Sequence, residues 1–319
     1  MAVFTPVTAA DLATFLLRYD IGTATSFKGI AEGVQNSNFL LETTTGRFIL
    51  TLYEDRVDTA ALPWFLALTT HLADKHLPVP RPIVDGAGVA LQTLNNRPAA
   101  VIEFVPGVSV TEPTVAQSHA VGVALGQLHA AVRDFTAERA NNLGQPHWRA
   151  MTARCNGRIG EIDPALPGMI DAALSATSDW PGDLARATVH TDLFPDNVLM
   201  LDGKVTGLID FYFACTDIRA FDYATTHAAW CFSPDGRTYH ADRAQALAAG
   251  YAASHGLTDA ETAALPRLGQ GTALRFTLTR AYDWLNTPAD ALVTRKDPVA
   301  FARRMMWYGA ATPDMVLGA

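Results

Sequence analysis

The apolar positions change period along the chain. Behind Thr8, apolar residues recur at helical spacing to about Tyr19, and Thr8 with Asp11 three residues on makes a capping-box pattern. Residues 25–30, 37–43 and 47–53 are instead β-rich and partly alternating, which predicts strands. Residues 31–36 link the first pair, and a Thr45-Gly46 turn links the second. A helix is predicted over about 60–76, with Pro63 tolerated only near its first turn. Pro78, Pro80 and Pro82 then end helical structure, and extended runs follow at 89–94 and 99–104.

Val105-Pro106-Gly107 breaks the chain between this β-rich half and a half dominated by helices. A long helix over about 114–135 opens the second half, and helical patterns prevail from about Arg219 to the end. The predicted fold is α+β, with lobes 1–105 and 106–319: a mostly antiparallel N-lobe of five strands and a helix, then a mainly helical C-lobe.

Composition narrows the function. The net charge of −8 argues against non-specific nucleic-acid binding, which needs a basic face. No apolar run is long enough to span a bilayer, and the first ten residues lack a signal-peptide pattern. Cys155, Cys215 and Cys231 are widely spaced, with no CxxC, so neither a zinc site nor a disulfide framework is expected. The expected location is cytoplasmic.

Candidate chemistry gathers in one segment. His190-Thr191-Asp192 leads through Phe194-Pro195-Asp196 to Asn197, and Ile209-Asp210-Phe211 follows. Between them, Asp202-Gly203 separates two apolar-rich runs, a strong signal for a two-residue type I′ hairpin. Folding about that turn sets Leu201 opposite Lys204 and, counting outward, Asn197 opposite Leu208. Asn197 and Asp210 then emerge at the same open end, with Asp192 in the loop that feeds it. An Asp and an Asn offer hard oxygen ligands for Mg2+, and a further carboxylate can accept a hydroxyl proton. Asp192 is therefore the expected base, and Asn197 and Asp210 the expected metal ligands.

The ordered set HxDxxxxN…IDF resembles the Brenner-type motif of the aminoglycoside phosphotransferase and choline kinase superfamily. Longer strings bring the chain nearest the bacterial homoserine kinases of the phosphotransferase-like type. They are residues 19–22, 27–39, 49–54, 209–215 and 273–285, and Lys296-Asp297-Pro298. The resemblance covers nearly the full length. It implies a protein-kinase-like fold, ATP and Mg2+ as cofactors, and L-homoserine as the alcohol phosphorylated.

The resemblance also implies roles for other residues. Gly29, Gly33, Asn36, Ser37 and Asn38 match a phosphate-covering loop, and Glu103 to Val105 match the hinge whose backbone binds adenine. His190 and His129 are expected to brace the catalytic loop, and Asp222 to hold its backbone. Tyr212, Asp217, Arg275 and Asp283 are the expected substrate contacts. One departure stands out: many kinases carry a strand lysine where this chain has Thr51, and the helix over about 60–76 lacks the partner Glu. Lys28 is a candidate substitute cation. A kinase acting on another small hydroxylated amine, of the aminoglycoside or choline type, and a non-catalytic nucleotide-binding regulator both stay open on the residues alone.

Overall fold

A computed structural model describes residues 5–30, 36–54, 58–287 and 295–319. The chain forms two compact units, Met1–Pro106 and Gly107–Ala319.

Unit 1 opens with α1 (Ala9–Leu16), capped reciprocally: Asp11 N–H donates to Thr8 Oγ1 at 3.1 Å, and Thr8 N–H to the Asp11 carboxylate at 3.0 Å. Leu12, Phe15 and Leu16 face inward. Strands β1 (Ala24–Gly29), β2 (Asn36–Thr43) and β3 (Arg47–Tyr53) run antiparallel, then α2 (Leu62–Asp74) intervenes with Pro63 in its first turn. Strands β4 (Pro82–Ile83), β5 (Gln92–Leu94) and β6 (Arg97–Glu103) complete a sheet of order β1-β2-β3-β6-β4, with β5 also on β6. The alternation of β2 and β3 aims Phe39, Leu41, Leu50 and Leu52 at Leu12, Phe15 and Val101. Each such burial is worth about 1.5–3 kcal/mol. Unit 1 thus has six strands among its described residues, where five were expected. The added one, Pro82–Ile83, lies within the proline run. It is short because proline cannot donate to a ladder.

Unit 2 contains β7 (Val108–Ser109), α3 (Val115–Ala131), α4 (Trp148–Ala153), α5 (Leu166–Ala176) and β8 (Arg186–Val189). Then come β9 (Val198–Leu201), β10 (Lys204–Leu208), β11 (Cys215–Ile218) and α6 (Arg219–Trp230). Helices α7 (Ala241–Ser254), α8 (Asp259–Asn286), α9 (Val299–Ala310) and α10 (Pro313–Leu317) close the chain. Helices α3 and α7 touch backbone to backbone through glycine. A Cβ on Gly122 would lie 2.3 Å from the Leu247 carbonyl oxygen, and one on Gly250 2.1 Å from that of His119. The Pro- and Gly-punctuated stretch after α4 carries Trp180, whose ring meets Trp148 at 5.1 Å and Phe221 at 5.7 Å. It packs against the hub helix α6, in which residues Ala220 to Trp230 are all buried.

The β9–β10 hairpin turns at Asp202 and Gly203, whose φ angles of +50° and +75° are those of a type I′ turn. Leu201 opposes Lys204 as expected, but the register shifts between Val205 and Gly207. This bulge puts Leu208 opposite Val198, one residue away from the predicted Asn197. Asn197 instead receives Ile209 N–H on its carbonyl oxygen at 3.0 Å.

Candidate active site

The loop from His190 to Asn197 is clamped by its backbone. Asp222, in the first turn of α6, accepts His190 N–H at 2.8 Å and Thr191 N–H at 2.7 Å. The carboxylate oxygen that accepts His190 N–H also faces His129 Nε2 of α3 at 3.1 Å, and His129 Nδ1 is 2.8 Å from the Tyr251 hydroxyl. Burial pushes the Asp222 carboxyl up, but the His129 hydrogen bond and the charges and N–H groups around it prevail, leaving it below its ordinary value. Trp230 Nε1–H donates to the Leu193 carbonyl at 2.9 Å, and Val110 N–H to that of Pro195 at 3.2 Å.

Thr191 has φ +58°, a left-handed conformation rare for a β-branched residue and costing about 1–3 kcal/mol. The clamps on both its faces hold it there. His190 then joins the two halves of the site: Asp192 N–H donates to its Nδ1 at 3.3 Å, and its Nε2–H to the Ile209 carbonyl at 3.0 Å. Burial lowers the imidazole pKa, which favours the neutral ring that this pair of bonds requires. His190 is wholly buried, so it braces the loop.

The three residues expected to carry the chemistry lie together. Asn197, in a 3₁₀ turn at Pro195–Asn197, donates from Nδ2 to the Asp192 carbonyl at 2.7 Å and to its Oδ2 at 3.1 Å. Its Oδ1 is left as an acceptor. Asp210, also left-handed at φ +62°, starts a 3₁₀ turn at Phe211–Phe213, and a hydrogen bond to the Tyr212 backbone falls on its carboxylate. Burial raises Asp192 to about 7; Arg275 opposes that shift, and Asp210 adds to it. Burial raises Asp210 to about 6, with Asp196 adding to the shift.

The expected substrate contacts scatter. Arg275, on α8, is 1% exposed and donates from Nη1 to the Thr191 carbonyl at 2.6 Å, so it serves the loop backbone and is withdrawn from any ligand. Asp217, on β11, accepts Asn141 Nδ2–H at 2.6 Å and its neighbour Ile218 N–H at 2.7 Å, with Arg186 3.6 Å away. Its carboxylate is committed to the small β8–β11 sheet. Asp283 is exposed in the last turn of α8, two turns beyond Arg275. Tyr212 lies two residues past Asp210, and its backbone hydrogen-bonds that carboxylate.

Unit 1 holds the expected nucleotide residues. Gly29 ends β1, and Gly33 lies outside the described residues. Ser37 is fully buried, and its hydroxyl donates to Glu54 at 2.6 Å; Arg97 Nε reaches the same carboxylate at 3.3 Å. Asn38 accepts the Thr51 hydroxyl at 2.8 Å, so the strand position usually held by lysine is occupied by a neutral hydrogen bond. Asn36 is buried, and among the described residues its Oδ1 has no partner. Lys28 is exposed on β1. Glu103 ends β6 exposed, bonded to the Arg81 backbone, and Val105 follows half-buried.

Comparison with known proteins decides the family. The model of the phosphotransferase enzyme family matches residues 26–257. The chain belongs to this family. Within it, the chain is 54% identical to the homoserine kinase of Gluconacetobacter diazotrophicus, over 98% of each chain. It is 49% identical to the homoserine kinase of Xanthobacter autotrophicus, over 97% of each. Among solved structures, an amicoumacin kinase in complex with AMP-PNP, Ca2+ and Ami superposes with a TM-score of 0.70 at 14% identity, over 94% of this chain and 92% of that one. The fold is protein-kinase-like: a mainly antiparallel β unit followed by a mainly helical one. Among the described residues, no helix is long and apolar enough to cross a membrane.

Proposed function

We propose that this phosphotransferase moves the γ-phosphate of ATP to the hydroxyl of L-homoserine, giving O-phospho-L-homoserine. The substrate reading is supported by relatives named homoserine kinase at 49–54% identity over nearly the whole chain. The observation that carries the chemistry is the Asn197–Asp192 contact of 3.1 Å, in a loop whose backbone is held from α6 and α8.

Asp192 is the base. Its carboxylate orients the substrate hydroxyl, whose oxygen bonds to the γ-phosphorus as the bond to the β–γ bridging oxygen breaks. ADP leaves with that electron pair, and the hydroxyl proton passes to Asp192. Burial has raised the carboxyl to about 7, where accepting and releasing a proton near neutrality are both easy. Asn197 keeps one carboxylate oxygen pinned and so leaves the other for the hydroxyl.

Asn197 Oδ1 and the Asp210 carboxylate are an all-oxygen donor set, and they fit Mg2+. Among the described residues no cluster of three or more His, Cys, Asp or Glu could hold a metal. That suits a cation held by few protein groups together with nucleotide phosphates and water. Bound there, Mg2+ supplies neutralising charge for the phosphates. Asn36, Ser37 and Asn38 at the start of β2, with Gly29 and Gly33, are the proposed phosphate-loop residues. Glu103 and Val105 mark the proposed adenine hinge.

The test is ADP release from MgATP with L-homoserine, D-homoserine, L-threonine, choline and an aminoglycoside. Turnover confined to L-homoserine is the expected result. Turnover of a different alcohol alone would discard the substrate and keep the chemistry. MgATP binding without ADP release across the panel would favour a regulatory protein.

A further inference from the structure

An α-amino-acid substrate brings a carboxylate to a site already lined with carboxylates. Asp192, Asp196 and Asp210 all act on one another there. An incoming anion is held in such a place only if cations face it. Three arginines of α8 and α9 stand near the loop, and two are committed. Arg275 is fully buried against the Thr191 carbonyl. Arg304 is 4% exposed and donates to the carbonyls of Ser233 at 2.8 Å and Pro234 at 3.4 Å.

Arg280 is different. It is half-buried, and among the described residues its guanidinium makes one hydrogen bond, from Nη1 to the Asp297 carbonyl at a long 3.3 Å. Its Cζ lies 4.4 Å from the Phe301 ring centre. Burial pulls its pKa down to about 10, while Asp192 and then Asp196 pull it up, so it stays charged and feels the catalytic loop. A half-buried guanidinium with one long hydrogen bond keeps donors that reach solvent, and a carboxylate matches its fork in a bidentate pair.

The surroundings point the same way. Phe194, two residues past the proposed base, packs on Phe276 at 4.9 Å, and Phe276 on Phe301 at 4.9 Å. This aromatic floor carries Arg280 at one end. At the other is Lys296, whose Nζ is 5.9 Å from the Phe194 ring centre and 3.3 Å from the Asp196 carboxylate. The Lys296–Asp196 pair is largely exposed and so weakly held, and the lysine is free to exchange that partner for another anion.

We propose that Arg280, assisted by Lys296 across the phenylalanine floor, binds the α-carboxylate of the substrate and thereby selects amino acids over amino alcohols. The inference rests on the functional reading above, because it presumes an amino-acid acceptor.

The experiment compares the full-length wild type with Arg280→Met, Arg280→Lys and Lys296→Met. Substrates are L-homoserine and 3-aminopropan-1-ol, which is homoserine without its carboxylate. L-2-aminobutyrate, which keeps the carboxylate and lacks the hydroxyl, serves as a competitive inhibitor. Arg280→Met is expected to raise the KM for L-homoserine and the inhibition constant of L-2-aminobutyrate together, by roughly 10–100-fold. Its loss of kcat/KM should be at least about tenfold larger on L-homoserine than on 3-aminopropan-1-ol. Arg280→Lys should recover part of the loss, and Lys296→Met should show a smaller loss of the same kind. An unchanged inhibition constant, equal losses on both alcohols, or a rise confined to the KM for ATP would overturn the proposal, the last by giving the guanidinium to the nucleotide phosphates. Wild type that cannot turn over L-homoserine would overturn the functional reading itself, and this inference with it.

Discussion

Arg275 Nη1 lies 2.6 Å from the carbonyl oxygen of Thr191, a residue 84 positions earlier in the chain. That carbonyl belongs to the left-handed peptide that delivers Asp192, and the same guanidinium sits in the field of the Asp192 carboxylate. Arg275 is therefore placed to position the proposed base and to steady its charge through the loop backbone. Arg275→Met, which conserves most of the volume, is expected to lower kcat by about 10–100-fold and leave both KM values within about threefold. Arg275→Lys should restore part of the rate. Steady-state kinetics checks this, and a rise in the KM for L-homoserine with kcat intact would return Arg275 to the role of substrate contact.

The sequence made some of this legible and hid the rest, for identifiable reasons. Asp202-Gly203 between apolar runs announces its own turn, because few residues other than glycine, asparagine and aspartate tolerate positive φ. The bulge beside it depends on what packs there: a Cβ on Gly107 would lie 2.5 Å from Thr206 Oγ1, so glycine makes room for the bulged residue. No local pattern reports that contact. The same holds for α8. Helical spacing shows that Arg275 and Tyr282 share a face, but not that the face under Arg275 meets the loop after β8. A buried arginine that serves a backbone carbonyl looks, in sequence, the same as one that waits for a ligand. Asp217 is a second case. Its proximity to Asp210 in sequence is real, but strand pairing gives its carboxylate to Asn141 and Arg186.

Asp192→Asn tests the proposed base with minimal change of shape. The amide retains the size and one acceptor oxygen but cannot take a proton. Turnover should fall by about 10²–10⁴-fold. MgATP binding, followed by thermal shift or calorimetry, should persist, since the loop is fixed by backbone bonds that do not involve this carboxylate. Near-wild-type turnover in a clean preparation would remove Asp192 from the chemistry.

Asp222 makes a prediction about stability and pH. It is fully buried, and it accepts two peptide N–H groups and faces His129. Asp222→Asn replaces two acceptor oxygens by one and leaves a buried donor facing a donor, which should cost roughly 3–5 kcal/mol at pH 7. The folded carboxyl titrates below its ordinary value of 3.8. Its contribution is thus complete above that pH and disappears as pH falls through the folded value. Denaturant unfolding of the two proteins should differ most at neutral pH and converge in acid. A gap that widens on acidification would contradict the low folded pKa.

The oxygen donor set of Asn197 and Asp210 predicts a strict and tunable need for a divalent cation. Chelation with EDTA should abolish ADP release, and added Mg2+ should restore it. Asp210→Asn keeps an oxygen donor while removing one negative charge. Because hard-cation affinity follows ligand charge, half-maximal activity should then need about tenfold more Mg2+ or greater, with the KM for L-homoserine little changed. The backbone hydrogen bond from Tyr212 to this side chain supports the same geometry in the amide, so a folding defect is not expected. Activity that survives chelation, or an Asp210→Asn variant with the wild-type Mg2+ requirement, would take the metal away from this residue pair.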